Sequence, residues 1–509
     1  VGPLEKWLID WMGRGGGVLG AIGFVARRAA LGALDRIVTA PPLCWTWAGP
    51  SRVEPVQVLD DFRPTDRDTI LDMMAGRYVL AARLIDTQGL SPFAMTGAPD
   101  DWSAALRSFS WLRHFREARN AGERSFARTL TLDWIGREGK FRRPGWGVAL
   151  TARRVLNWLR YLNLLTEEAT PEQAKTLLRS LRVQIQWLKF RSRLAGDPLD
   201  RLWAALALAA AAASDEGRQS GIDDRMARLL ALLHAQLDAD GLHLTRNAEV
   251  HLQLLTELET LRQALLRDRS EAMGTLGETV EAMHRALDGV SLAGGEPAYF
   301  NGTGQLPHDL IVALQVQSPA RFGQSGTLGG YGRLMAGESV VIADGGLVPP
   351  LDFAAAAHAG ALGFEFSHGA DLIVGNCGPA PVDLGREGIA FRQGTAHSSV
   401  VIGHASAARL GARGPLAGRL RPDGDPPGVE MSTDGDGLVL VTHGFERRFG
   451  VTIERRLTLL SEGQTLVGQD RLSHAGSGRQ APRATARFHL ALGTTLSRSA
   501  GEDMLRLRL

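Results

Sequence analysis

FNGTGQLPHDLI, residues 300–311, stands where one periodicity stops and another begins. Before it, apolar residues recur every three to four positions, the spacing of a helix that buries one face. Val155, Leu156, Leu159 and Leu162 make one such stripe. Leu177, Leu178, Leu181, Ile185 and Leu188 make a second, Leu229, Leu233 and Leu237 a third, and Val250, Leu254, Leu258 and Leu261 a fourth. Thr170-Pro171 is a helix-start signal, a capping residue followed by proline at the first helical position. No repeat period links the stripes, which leaves a bundle or a helical toroid. After the segment, SVVIADGG, ALGFEFS, ADLIVGN, SSVVIG, GLVLVTHG, VTIERRLTLL, QTLVGQDRLS and ATARFHLALG read as short strands between turn residues, the pattern of an antiparallel sandwich. Composition changes at the same place. All 11 tryptophans lie at or before Trp203, and more than half of the 60 glycines lie after residue 288, so we place a domain boundary near 290. A polar segment at such a seam is well placed to line a ligand cleft.

A chain of 509 residues is too long for one ordinary core. Its 57 basic and 55 acidic residues nearly cancel, which argues against nucleic acid as a partner and leaves room for a local basic groove. The two cysteines, Cys44 and Cys377, form no CxxC pair, which excludes a zinc ribbon or a disulfide framework. Near the N-terminus, GGGVLGAIGFVARRAALGAL has an uncharged run shorter than the roughly 20 residues of a membrane span. We therefore expect no integral span there. An amphipathic helix on the domain surface and a signal-peptide remnant both fit. The final EDMLRLRL alternates like a strand, and we expect the natural chain to continue past it.

Several residues have the types that chemistry needs. Asn247 and His251 share a helix face, with Arg246 just before them. Asn247 fits a helix cap, and it equally fits a hydrogen-bond donor to a carboxylate or a sugar hydroxyl. Tyr299, one of only four tyrosines, is a candidate proton-transfer group, while Asn301 and Gly302 suit a tight turn. Arg154 and Trp158 fall in a basic and aromatic patch, able to bind an anion and stack on a sugar, or else to form a solvated face and a core ring. His358 and His397 each precede a strand. They fit a shared metal with a third ligand, or two separate hydrogen-bonded histidines. The Gly-rich stretch after residue 323 lacks GK[ST] and leads into strands, so it is no phosphate loop. Glu249, Glu257 and Glu259 form no carboxylate pair of the kind a glycoside hydrolase uses.

The segments RNAEVHLQLL, AYFNGTGQ, GYGRLMAGESVVIADGG, HAGALGFEFSHGADLIVGNCG and GTAHSSVVIG together resemble the heparinase II/III-like polysaccharide lyases. The resemblance covers most of the chain. It implies an N-terminal incomplete (α/α) toroid followed by a C-terminal antiparallel β-sandwich, with a helical extension over 1–50, the toroid over 51–290 and the sandwich over 291–509. It implies β-elimination on an acidic, uronate-containing polysaccharide of the cell envelope or periplasm. No cofactor is required, and a structural divalent metal, zinc, is an option at His358 and His397. By position Asn247 resembles the group that neutralises the uronate carboxylate, and Tyr299 is the nearest tyrosine for proton transfer. His358, which resembles the family's second His, is counted with them as a catalytic candidate, and Arg246, His251, Asn301, Arg154 and Trp158 are expected at the substrate. The sequence also departs from the family. Where members carry His-x-His-x-Asp, this chain has Ala356 in place of the first His and Gly360 in place of the Asp. An Asp expected near LIVGNCG is absent. These departures set a second reading beside the first, a glycan-binding or envelope-assembly protein that keeps the fold without elimination.

Overall fold

The computed structural model describes residues 18–55, 59–215, 221–265, 271–423, 429–434, 437–474, 483–498 and 505–508. Residues 1–17 of the expected N-terminal extension, and 502–504 and 509 of the terminal alternating run, lie outside these. What is described of that run, Leu505–Arg508, is a strand paired with Thr495–Arg498.

The helical stripes fold largely as their spacing predicts, although Val148–Arg160 ends before Leu162 and Ile222–His234 ends before Leu237. Pro171–Arg191 starts with a full capping box, in which Thr170 and Gln173 satisfy each other's backbone N–H groups. It buries Leu177, Leu181, Ile185 and Leu188. Val148–Arg160 lies along Pro198–Ala213. Alanines run almost without break from Ala204 to Ala211 there, and all are buried, so the two backbones approach closely. The tryptophans gather around Phe109, whose ring meets Trp134 and Trp158 edge-on at 5.4 and 5.3 Å. Such pairs contribute about 0.5–1.5 kcal/mol each beyond their buried area. This explains why tryptophan ends with the helical half. One local departure is a hairpin, Arg77–Leu80 with Arg83–Asp86, closed by Ala81 and Ala82 at φ of 49° and 57°. Alanine is no signal for that turn, so the sequence hides it.

The second half is a sandwich. One sheet has six antiparallel strands in the spatial order His489–Leu490, Asp371–Gly375, Phe364–His368, Ser339–Asp344, Tyr331–Ala336 and Gly326–Leu328. The other is a meander of Val429–Asp434, Gly437–Phe445, Val451–Leu460 and Thr465–His474. Leu334, Val341, Ala343 and Phe364 meet Leu438, Leu440, Ile453 and Leu457 between them. A Cβ at Gly332 would lie 2.4 Å from the Leu438 side chain, so glycine there sets how closely the sheets approach.

The boundary expected near 290 does not separate two cores. The helix His308–Gln317 packs back on Ala248–Leu265, and the main helical core also takes in Tyr331, Val340 and Ile342 of the large sheet. The helix Val18–Thr39 also ties the halves together, pairing Arg27 with Asp352 and Asp35 with Arg191. Among the described residues no helix is long and apolar enough to cross a membrane.

The tightest link between the halves is Arg246, a residue in the left-handed region at φ 54°. Its guanidinium donates to the carbonyls of Gly329, Gly330 and Leu347 and to Asp344 Oδ1 at 2.9 Å. It lies 4.0 Å above the Tyr331 ring. The Tyr331 hydroxyl donates to the Arg246 carbonyl and accepts from Asn301 Nδ2. Burial works against the Arg246 charge, but Asp344 outweighs it and the group holds its proton more firmly than usual.

Truncating Asp344 to alanine leaves this cation buried without a counter-charge, expected to cost about 3–5 kcal/mol. Urea denaturation reads the loss, and the double change Arg246→Met with Asp344→Leu is expected to recover most of it. A single-variant loss below about 1 kcal/mol would mean the joint does not depend on this pair.

Candidate functional site

The seam segment turns sharply at Asn301 and Gly302, with φ of 50° and 87°. Gly302 is held close: a Cβ there would lie 3.2 Å from both the Ala356 carbonyl oxygen and Asn247 Nδ2. The turn aims Asn301 inward, where it joins three parts of the chain. Its carbonyl accepts from Asn247 Nδ2 at 2.9 Å, its Oδ1 accepts from the His358 backbone N–H at 3.1 Å, and its Nδ2 reaches Tyr331. Asn247 is bonded at its other end too. Its Oδ1 caps Ala248–Leu265 by accepting from Val250 N–H. The cap reading of Asn247 therefore describes the structure, and Asn301 is a buried connector that presents no atom to a ligand.

Next to this network stand two buried imidazoles. The rings of His358 and His397 are 5.4 Å apart, and His397 stacks parallel to Phe300. His358 Nδ1 and both ring nitrogens of His397 have no hydrogen-bond partner. Burial pushes the pair down to about 3 and about 4, so both are neutral at physiological pH. Gly360 faces the His397 ring, which a Cβ would meet at 3.2 Å. A side chain at 360, such as the aspartate the family resemblance implies, would press on that ring, which would have to give by a few tenths of an ångström. Among the described residues no group of three or more His, Cys, Asp and Glu side chains converges to hold a metal. Two imidazoles fall short of the four ligands of a closed structural zinc site.

Tyr299 lies apart from these groups. Its ring rests on the backbone of Gly378, and no hydrogen bond joins it to Asn247 or His358 among the described residues. Burial, then the carboxylates of Glu296 and Glu365, raise its phenol above the usual value. Its neighbour Glu365 is a site residue the strand pattern concealed. It is 1% exposed and accepts from the N–H of Tyr299 and from both the backbone and side-chain nitrogens of Asn376. Burial pushes it up to about 7 despite these bonds. A signal existed: Gly363 and Ser367, on the same side of GFEFSH, are small, and the lone glutamate between them points at the seam.

Four expected substrate contacts are corrected by burial. Arg154 is fully buried between Trp134 and Trp146 and bonds Gln184 and the carbonyls of Arg107 and Gly145. Trp158 is fully buried against Phe109 and Trp134. His251 donates from Nε2 to the Met283 carbonyl inside the helical body. Arg246 is consumed by the interdomain joint. Helical spacing placed these residues on a face; packing turned that face inward.

Glu365 gives the fold a pH dependence. Its unfolded value is 4.5 and its folded value about 7, so its favourable contribution is complete below 4.5 and is lost as pH rises to about 7. The full loss is at most about 3 kcal/mol. Glu365→Gln is expected to flatten the stability profile over that window and to gain on the parent protein by pH 8. Parallel profiles in thermal melts would contradict this assignment.

Residues 319–508 match the sequence family described as Heparinase II/III-like, C-terminal. FtsZ-localized protein C of Caulobacter vibrioides (strain NA1000 / CB15N) is 29% identical over 481 residues, covering 88% of this chain and 81% of that protein. Among solved structures, heparinase III superposes with a TM-score of 0.60 at 12% identity, over 84% of this chain and 70% of its own. A mutant of the heparan sulfate lyase HepC from Pedobacter heparinus does so with 0.54 at 15%, over 81% and 70%. At these identities the structural likeness is one of fold.

Proposed function

The chain is heparinase II/III-like in the sequence of residues 319–508 and in its toroid-plus-sandwich fold, and from this we propose that it binds an acidic polysaccharide at the seam and serves in cell-envelope assembly without β-elimination. The observation that carries this reading is the double engagement of Asn247, whose amide is divided between a helix cap and Asn301.

Elimination asks for three things at once. A donor must neutralise the uronate carboxylate so that the C5 proton becomes acidic. A base must take that proton, and an acid must protonate the departing 4-oxygen. Here Asn247 has its Oδ1 and one of its two amide N–H groups already bonded, and the two imidazoles are neutral and buried. Tyr299 stands among carboxylates, which oppose a tyrosinate base. Ala356, where the family carries histidine, supplies no proton-transfer group. A 29%-identical relative named for localisation with FtsZ supports a role in assembly over one in degradation.

β-Elimination is the competing reading, and one observation favours it. The unpartnered nitrogens of His358 and His397 are available to a proton or a ligand. An ultraviolet assay separates the two, because elimination leaves a conjugated C4=C5 bond that absorbs. Against heparan, chondroitin, alginate and bacterial acidic exopolymers we expect binding to at least one and no rise in absorbance. A rise abolished by Tyr299→Phe would establish the lyase instead, and neither binding nor turnover would remove the glycan from the reading. Asn247→Ala is expected to lower stability by about 1 kcal/mol through loss of the cap, with glycan binding retained at permissive temperature.

A further inference from the structure

Cys377 and His489 meet across two neighbouring strands of the six-stranded sheet. His489 is paired with Gly375, and Cys377 lies two residues beyond, so the backbone fixes their separation. Cys377 Sγ is 3.6 Å from His489 Nδ1. The other ring nitrogen, Nε2, is 3.2 Å from the Thr395 carbonyl oxygen. A carbonyl only accepts, so Nε2 carries the proton and Nδ1 presents its lone pair to the thiol. Both backbones are tied down as well: His489 N–H donates to Ser398 Oγ, and Cys377 N–H to the Ala396 carbonyl. A nucleophile, a base in reach of its proton and a third group that fixes the base's tautomer is the arrangement that activates a thiol. Cys377 is exposed, whereas Cys44, the only other cysteine, is buried.

We propose that Cys377 and His489 form a base-assisted thiol that exchanges with small disulfides, a modification site on the rim of the seam. The site is independent of the glycan reading. His489 Nδ1 takes the thiol proton as Sγ attacks one sulfur of the disulfide. The new S–S bond forms, the old one breaks, and the departing thiolate receives the proton from His489. No other oxidant is needed. The titratable groups around the pair are Tyr299 over Gly378, Glu365 on Asn376, and His397, which His489 opposes electrostatically. Burial raises the Cys377 thiol, so at neutral pH it waits protonated and the exchange depends on the base.

The test is the rate of reaction of the full chain with 2,2′-dithiodipyridine from pH 5 to 10, with mass spectrometry to locate the adduct. A neutral reagent keeps the surrounding charges from setting the pH profile. We expect the adduct on Cys377 and a rate at pH 7 above what thiol ionisation alone supplies. His489→Gln is expected to be about tenfold slower or more at pH 7. Cys377→Ser should remove the reaction. Equal rates for the parent and His489→Gln would overturn the proposal. So would a parent profile that follows thiol ionisation alone, an outcome that needs no variant to fold.

Discussion

A buried cation with one counter-charge holds the two halves of this protein together. Taking Arg246 out of water is costly, and a single ion pair rarely offsets that cost. Here the guanidinium also meets three carbonyls and an aromatic face, so nearly every donor is used. Those partners come from the loop before Tyr331, from the end of Ser339–Asp344 and from Leu347 just past it, while Arg246 itself leads into the helix Ala248–Leu265. The seam is therefore a bonded joint, and the first strands of the sheet share the helical core.

That joint constrains the chemistry beside it. Asn301 sits one hydrogen bond from Tyr331 and one from Asn247, so the polar atoms nearest the seam answer to the fold first. A polysaccharide lyase needs such atoms free at the moment a carboxylate arrives. The chain has Ala356 and Gly360 beside this network, and a Cβ at 360 would press on the His397 ring at 3.2 Å.

The large sheet carries two different faces, and strand alternation explains both. Phe364 turns into the sandwich core, while Glu365 turns to the seam and meets Tyr299 and Asn376. The same strands bring Cys377 to His489 at the sheet's edge. None of these pairings is local in sequence: Glu365 acts on a residue 66 positions earlier, and Cys377 on one 112 positions later.

Periodicity alone determined the helical half, the sandwich half and the order in which they come, because a 3.6-residue or two-residue repeat is local and survives any tertiary arrangement. The strands Ser339–Asp344, Phe364–His368, Asp371–Gly375, Val400–Ile402, Gly437–Phe445 and Val451–Leu460 were legible for the same reason, and the helix start at Thr170-Pro171 because capping is equally local, whereas Val429–Asp434 was not read. Direction was not. The stripe bearing Arg154 and Trp158 reads equally well as a solvated patch, and only the close packing of an alanine-rich neighbour and a ring of tryptophans buried it. Likewise Asn247 carries the same letters as cap or as catalyst. Only the tertiary structure shows the cap and the bond to Asn301, because what a polar side chain can do depends on which of its atoms are already bonded.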